Sequence, residues 1–575
     1  MMKLFKYLKP YRIPIIVILV LTLFQALSQL FLPALMANIV DKGIVNGNIS
    51  YIVKIGGLML LVAAGGVVVS ILAGFYSSKV SMGFGKVVRE RMFTHIENFS
   101  LQGFDNVGSS SLITRTTNDI MQVQQVLTMM LKVLIMAPMM FIGGILIAIA
   151  TDAAMSLIII AVIPIIVAAI IVVAKKGLPL FKSLQKKLDR MNLVLREGLN
   201  GIRVIRSFNR TDHEQNRFKE ANLDFANTAI KVNKIMATLT PVMMFVLNFS
   251  IIAIIWFGSI RISNENLQVG ELMAFIQYAM QIMFSLIMSS MMLIMIPRAS
   301  VSAARINEVL DKVPDVKDPV GDKDEHLLEG VVEFDHVTFS YPGAEEPVLS
   351  NLSFSAKPGQ VTAIVGGTGA GKSTLINLLP RFYDVDRGSI KIDGVDTRDI
   401  LQSNLRNNIS LVPQKAVLFS GTIADNIRYG KKNATDEEVR KAADDALVSD
   451  FILETKNGFD SVIAQKGANV SGGQKQRLSI ARALIREANI YIFDDSFSAL
   501  DFKTDAKLRA SLQEETSEAT VFIVAQRIST VMDADQIIVL DHGEMAGVGT
   551  HRELMENCEV YQEIVSSQFS EGETA

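Results

Sequence analysis

Apolar residues crowd the first 312 positions in long runs, and after Leu327 the pattern changes to short apolar segments set among charged residues. A helix that crosses a bilayer core of ~30 Å needs roughly 20 mostly apolar residues. Six stretches meet that demand: Ile13–Ile39, Ile52–Phe75, Val133–Ala150, Met155–Ala174, Leu239–Phe257 and Leu272–Ile296. Lys and Arg gather at the N-terminus, in the Lys79–Arg91 region and in the Lys175–Lys187 region, whereas Asp41–Asn48, Thr151–Asp152 and Ser263–Gln268 are short and nearly free of them. That asymmetry puts both termini on the cytoplasmic side. Lys3, Lys6, Lys9 and Arg12 ahead of an apolar run from Ile13 also have the look of a secretory leader cut near Ala37, but the further spans favour retention of this segment as the first span.

The inward-facing connections read as helix. After the fourth span, Leu184, Leu188, Met191, Leu195, Leu199 and Ile202 recur three and four apart, the stripe of a helix that continues beyond the membrane. Unbroken from Met155 to Ser207, it would approach ~80 Å at ~1.5 Å per residue. Gly103–Ser111 and Phe208–His213 carry turn-forming or polar residues and are expected at the tips of these extensions, placed to touch a soluble domain. Pro33, Pro138, Pro164 and Pro241 are expected to kink their helices. The chain thus divides into a membrane domain over 1–312, a linker over 313–330 marked by Pro314 and Pro319, and a soluble domain over 331–575.

Almost no charge lies within the spans, so no ion path is marked. Their polar content is amide and thioether: Gln25 and Gln29 in the first span, Asn248 in the fifth, and Gln277, Gln281, Met280, Met283, Met288, Met291, Met292 and Met295 in the sixth. Two readings stay open. The methionines fill helix–helix contacts, or they line a wide cavity that repacks around varied apolar ligands.

The soluble half carries the chemistry. Gly366-Gly367-Thr368-Gly369-Ala370-Gly371-Lys372-Ser373-Thr374 fits G-x-x-x-x-G-K-[ST], a loop whose backbone N–H groups surround phosphates while Lys372 adds positive charge and the Ser373 hydroxyl ligates Mg²⁺. The apolar strand Val361–Val365 before it and the helix from Leu375 after it supply the context that the motif requires. Tyr341, before Pro342, is either a platform for an adenine ring or a tyrosine of a surface turn. Gln414 follows Leu411-Val412-Pro413 and can ligate Mg²⁺. Asn469–Arg477 opens a helix with Ser471, Gly472, Gly473 and Gln474 in its first turn, a second anion site. Tyr491-Ile492-Phe493 ends in Asp494 and Asp495, of which the first can hold Mg²⁺ through water and the second can orient an attacking water.

Net charge is -2 with a pI near 6.4, which speaks against a nucleic-acid partner. The one cysteine, Cys558, cannot form an intrachain disulfide and sits in no metal-ligand pattern, as suits a reducing compartment.

In this order the motifs resemble those of an ABC exporter half-transporter, and the resemblance covers essentially the whole chain. It implies an all-α six-helix membrane domain fused to an α/β P-loop nucleotide-binding domain that uses ATP and Mg²⁺. By resemblance, Gly366–Thr374 is the Walker A loop, Tyr341 the A-loop aromatic and Gln414 the Q-loop residue. Ser471–Gln474 is the signature, with Val470 in place of the usual Leu; Asp494 ends Walker B, and Ser498–Asp501 is the D-loop. Such domains hold two ATP molecules between two chains, each between one chain's Walker A and the other's signature, so a dimer is implied.

Two departures from the family pattern stand at hydrolytic positions. The usual Glu after the Walker B Asp is Asp495, and the usual switch His is Gln526, after the strand Thr520–Ala525. A carboxylate one methylene shorter stands about 1 Å or more from the water it should polarise, and such a misplacement costs ~10²-fold. Gln526 hydrogen-bonds but does not titrate. Gln465 replaces the usual X-loop Glu as well. The combination resembles the degenerate-site subunit of bacterial heterodimeric ABC multidrug exporters. That implies a non-identical partner half-transporter, hydrophobic or amphipathic substrates, residence in the bacterial inner or plasma membrane, and weak hydrolysis at this chain's own site. A homodimeric lipid or peptide exporter, and an ATP-sensing regulator or gated pore, are the alternatives.

Overall fold

The computed structural model describes residues 1–319 and 328–568. It divides into two units, Met1–Glu97 with Gly108–Lys312, and Asn98–Val107 with Val313–Ala575. Residues 320–327 of the expected linker lie outside the described residues; those flanking them form neither helix nor strand.

Six long helices build the first unit: α1 (Arg12–Asn38), α2 (Ile49–Glu97), α3 (Ile120–Thr151), α4 (Ala153–Asn200), α5 (Thr211–Ser263) and α6 (Val269–Leu310). All are long and apolar enough to cross a membrane. Large apolar side chains such as Leu60, Ile71, Leu146, Leu157, Phe245 and Trp256 stay exposed on them, as a lipid-facing surface requires. Helices run without a break through Pro33, Pro138, Pro164 and Pro241. α1 packs on α2, α3 on α6 and α4 on α5. Polar ties lock these pairs. Asp152 caps α4 by accepting from the N–H groups of Ala154 and Met155 through Oδ1, and its Oδ2 accepts from Arg261 of α5 at 2.6 Å. Lys187 of α4 reaches Asp224 (2.5 Å) and Thr228 (2.9 Å) of α5.

The expected uninterrupted helix to Ser207 is corrected. Gly201 leaves helical geometry (φ -88°, ψ 8°), α4 stops at Asn200, and Ile202–Ser207 is a separate short helix. The apolar stripe is only partly a packing face: Leu184, Leu188 and Met191 are half-buried, while Leu195, Leu199 and Ile202 are exposed and Val194 is the buried residue. Toward this end α4 and α5 meet through charge, with Glu197 accepting from Arg217 at 2.5 Å, so apolar periodicity alone did not decide which face turns inward. Of the expected tip Gly103–Ser111, residues 103–107 belong to the second unit and 108–111 to the first; within the second unit, Ser100 donates to Asp315 at 2.8 Å.

The second unit is built on a six-stranded sheet of β1 (Val361–Gly366), β2 (Ile409–Val412), β3 (Ile490–Asp494), β4 (Thr520–Val524), β5 (Gln536–Asp541) and β6 (Glu544–Gly549), in the order β6-β5-β1-β4-β3-β2. All neighbours are parallel except β5 and β6. Parallel strands covered on both faces read as continuous apolar runs, and β4 is buried at every position. Ile364, Ile492, Phe522 and Val524 point into one core; Ala363, Val365, Phe493, Val521 and Ile523 point into the other. An antiparallel sheet of Val332–Phe339, Leu349–Ala356, Arg387–Ile392 and Val395–Asp396 closes over the first of these cores.

Candidate functional site

Open parallel sheets bind ligands beyond the carboxyl ends of their strands. Register puts four segments at that edge: Ile364 of β1 pairs with Val524 of β4, Val524 with Asp494 of β3, and Val412 of β2 with Phe493 of β3. The loops after these strands carry Gly366–Gly371, Gln414, Asp495 and Gln526. Residues scattered over more than 150 positions thereby converge.

The loop after β1 needs its glycines. Gly366, Gly369 and Gly371 have φ of +154°, +86° and +95°. A Cβ on Gly366 would stand 2.2 Å from the Leu540 carbonyl oxygen, and one on Gly371 would stand 2.6 Å from a Leu349 methyl. Gly367 and Thr368 are exposed at the rim and Ala370 is buried beneath it. Helix α7 (Lys372–Leu378) follows directly, with Thr374 buried. Lys372 Nζ donates to the carbonyls of Gly366 and Gly367, both at 2.7 Å. Burial lowers its pKa, against the opposing charges of Asp495 and Asp494.

Ser373 Oγ donates to Asp494 Oδ1 at 3.2 Å. Burial raises the Asp494 pKa, the Ser373 bond lowers it, the adjacent Asp495 raises it and Lys372 lowers it. A half-buried carboxylate beside a hydroxyl is an oxygen pair of the hard type that Mg²⁺ takes, and a dication there would relieve the desolvation that raises Asp494. The group therefore fits. Ser373 and Asp494 are the residues that would hold Mg²⁺, which neutralises phosphate charge when bound.

Gln414, expected as a further Mg²⁺ ligand, is brought to Asp495 and not to the Ser373–Asp494 pair: its Nε2 donates to Asp495 Oδ2 at 3.1 Å. Gln526 Nε2 donates to the same oxygen at 2.9 Å. Asp495 is buried, with φ at +45°, a left-handed conformation that Asp tolerates better than most residues. Two amides on one oxygen hold this carboxylate to a single orientation.

Tyr341 occupies an aromatic cluster, its ring edge-on to Phe339 and Tyr383 at 5.1 and 5.5 Å, and its hydroxyl shares a 3.1 Å hydrogen bond with Thr374 of the phosphate loop. Tyr383 is a partner that the sequence reading did not single out; the aromatic run Phe382-Tyr383 after α7 was its only signal.

The second anion segment forms helix α8 (Gly472–Leu484). Ser471 and Gln474 close a reciprocal cap: Ser471 Oγ accepts from the Gln474 N–H at 3.3 Å and Gln474 Oε1 accepts from the Ser471 N–H at 2.9 Å. Gly472 is exposed with open space where a Cβ would project, and Gly473 lies close to the Ala499 carbonyl. Ser498 donates to the Asp495 carbonyl at 2.9 Å, and Asp501 caps the helix that follows.

An ABC transporter transmembrane region model matches residues 15–303, and an ABC transporter model matches 349–498. The chain belongs to the ABC transporter family. An uncharacterized ABC transporter ATP-binding protein of Mycobacterium tuberculosis (strain ATCC 25618 / H37Rv) is 42% identical over 567 residues, which span 98% of this chain and 97% of the relative. An ATP-dependent lipid A-core flippase of Pasteurella multocida is 31% identical over 98% of this chain and 97% of its own. A bacterial Atm1-family ABC exporter with ATP bound superposes with a TM-score of 0.83 at 26% identity, over 98% of this chain and 99% of that one. This transporter is thus a multi-pass membrane ABC exporter subunit whose ATPase domain uses ATP with Mg²⁺.

The membrane helices of the ABC exporter also line a partly open cavity of about 780 Å³, within the size range of small-molecule sites. Met280, Met283 and Met288 of α6 line it, with Gln281 and Gln29. Met136, Met140, Met236, Met243 and Met244, on α3 and α5, also line it. Sequence reasoning named the α6 methionines and missed these, although Met136 and Met140 stand four apart. The Met291 side chain lies outside the described ones.

Proposed function

We propose that this chain pairs with a second, non-identical ABC half-transporter to export hydrophobic or amphipathic compounds, and that it contributes the weakly hydrolysing member of the two ATP sites. The observation that carries this reading is the Gln414–Asp495–Gln526 clamp, in which one short carboxylate is tied by both amides through a single oxygen. A carboxylate so placed is a poor base for an attacking water, since its reach is about 1 Å short and a misplacement of that size costs ~10²-fold. On this reading Lys372, Ser373, Thr374 and Asp494 bind ATP and Mg²⁺ on this chain, and Ser471, Gly472, Gly473 and Gln474 cap ATP on the partner. Tyr341 serves the adenine side. This chain's residues therefore bind one ATP at a slow site and cap a second ATP on the partner, whose own Glu and His turn that second one over.

On the membrane side, the methionine-lined cavity supports loose recognition of apolar ligands, because thioether chains change shape at little cost. Bacterial relatives support placement in the bacterial plasma membrane with the nucleotide-binding unit cytoplasmic. The lipid A-core flippases among the relatives favour one second reading, a homodimeric lipid exporter. ATPase of the purified chain alone separates the two. The heterodimer reading expects ATP–Mg²⁺ binding with slow turnover, and brisk turnover by a homodimer would replace it with the lipid-exporter reading.

A further inference from the structure

We propose that Gln281 is a specificity-determining residue of the membrane cavity, reading a hydrogen-bond donor (N–H or O–H) on an otherwise apolar transported compound. This rests on the reading of the cavity as the export chamber.

Pro33 interrupts the backbone hydrogen bonding of α1. A helical carbonyl is normally paired with the N–H four residues on, and proline has none. The Gln29 carbonyl of α1 is therefore orphaned within its helix, and Gln281 of α6 fills the gap, its Nε2 donating to Gln29 O at 3.1 Å. One residue further along α1, Tyr278 donates to Leu30 O at 3.2 Å, which holds the two helices at this level. Amide orientation is usually ambiguous, but here the orphaned carbonyl decides it, since a flipped amide would set oxygen against oxygen. Gln281 Oε1 is consequently fixed as an acceptor. It is buried and, among the described residues, has no hydrogen-bond partner.

Buried polar atoms without partners are few in native proteins and ask for an explanation. This one belongs to a cavity wall that otherwise consists largely of methionines and aliphatic residues and that, among the described residues, carries no charged side chain. The Ser285 hydroxyl is already spent on the Ile282 carbonyl, and neither the Thr240 hydroxyl nor the Gln29 amide on the same wall bonds to Oε1. A ligand that brings a donor satisfies Oε1, displacing methionine side chains that repack cheaply. A ligand of the same apolar shape without a donor enters but leaves the acceptor unpaired. The chamber thus favours compounds such as secondary aryl amines and alcohols over their alkylated counterparts.

The test uses the full-length chain in amphipol, free of bilayer, and two fluorescent probes with the same ring system: N-phenyl-1-naphthylamine, which has one N–H, and its N-methyl derivative, which has none. Dissociation constants of the wild type are expected to favour the N–H probe by about 3- to 10-fold relative to Gln281→Leu, the range of one neutral hydrogen bond. Because Gln281→Leu again orphans the Gln29 carbonyl and can impair folding, the Pro33→Ala/Gln281→Leu double variant is measured beside it. That variant restores the helical N–H and removes the amide, and its probe ratio is also expected to fall to the level without a donor effect. A ratio that is the same in wild type and double variant, with both probes binding, overturns the role of Gln281 and leaves the chamber reading intact. Binding of the N-methyl probe alone overturns the role of Gln281, and failure of both probes to bind wild type removes the chamber reading and this inference with it. ATP binding unchanged across the variants is the control for folding.

Discussion

Gly472→Leu and Asp495→Asn, each assembled with the partner half, separate the two ATP sites of the proposed heterodimer. Gly472 is the first residue of α8 and is exposed; nothing lies within 4 Å of where its Cβ would be. Leu is a better helix former than Gly by roughly 0.8 kcal/mol, so the substitution leaves the fold of this chain intact or slightly firmer. Its harm is confined to the dimer, where this surface covers ATP held by the partner. The first added carbon alone projects about 1.5 Å from the backbone, and two further bonds extend it. A displacement of ~1 Å costs ~10²-fold, or about 2.7 kcal/mol of activation free energy. Asp495→Asn is close to isosteric, and a rotated amide still offers an oxygen to Gln414 and Gln526. If little hydrolysis passes through this chain's own site, its loss lowers total ATPase by about twofold at most. Steady-state ATPase of the two mutant heterodimers, with equal assembly verified by size-exclusion chromatography, decides the matter. Comparable losses, or a larger loss for Asp495→Asn, refute the asymmetric model and bring the homodimeric lipid exporter forward.

Three further outcomes are expected. Single Met→Ala changes at Met243, Met280 or Met283 should shift preference among exported compounds while some transport persists, and abolition of all export by one of them at normal expression would point to a dedicated pocket. Arg261→Met should lower thermal stability by about 2 kcal/mol, the scale of a charge-assisted hydrogen bond, because the buried Asp152 carboxylate keeps its two backbone donors on Oδ1 but loses the cation on Oδ2; an unchanged unfolding free energy would contradict this. Because burial raises the Asp494 carboxyl above its ordinary value of 3.8, acidification neutralises it while exposed carboxylates are still charged, so Mg²⁺-dependent ATP affinity should fall at a pH above 3.8. Titration of ATP binding with and without Mg²⁺ checks the sign: the Mg²⁺-dependent part is full above the raised pKa and is lost below it, and Asp494→Asn should flatten it.

The local signals that survive folding were legible in the chain. Twenty-residue apolar runs cannot be accommodated outside a membrane or a core, which fixed the six spans and their order. The phosphate loop was equally plain, because its backbone geometry needs glycine at Gly366 and Gly371, where any side chain meets Leu540 or Leu349. Asp495 and Gln526 stood out as departures from a known pattern, and Gln281 as an amide in an apolar span. Tertiary structure decided what such residues meet. Gln414, Asp495 and Gln526 lie on three loops that only strand register brings together, so that Gln414 faces a carboxylate and not the Ser373–Asp494 pair. The helix beyond the fourth span ended at Gly201, and its apolar stripe was half exposed, because its partner helix opposed it with charge. Pro33 was read as a kink, yet its consequence lies in another helix, where Gln281 fills the carbonyl that proline leaves open. Periodicity specifies which face of a helix is apolar; only packing specifies whether that face is met by lipid, by methionines around a cavity, or by a single side chain more than 200 positions away.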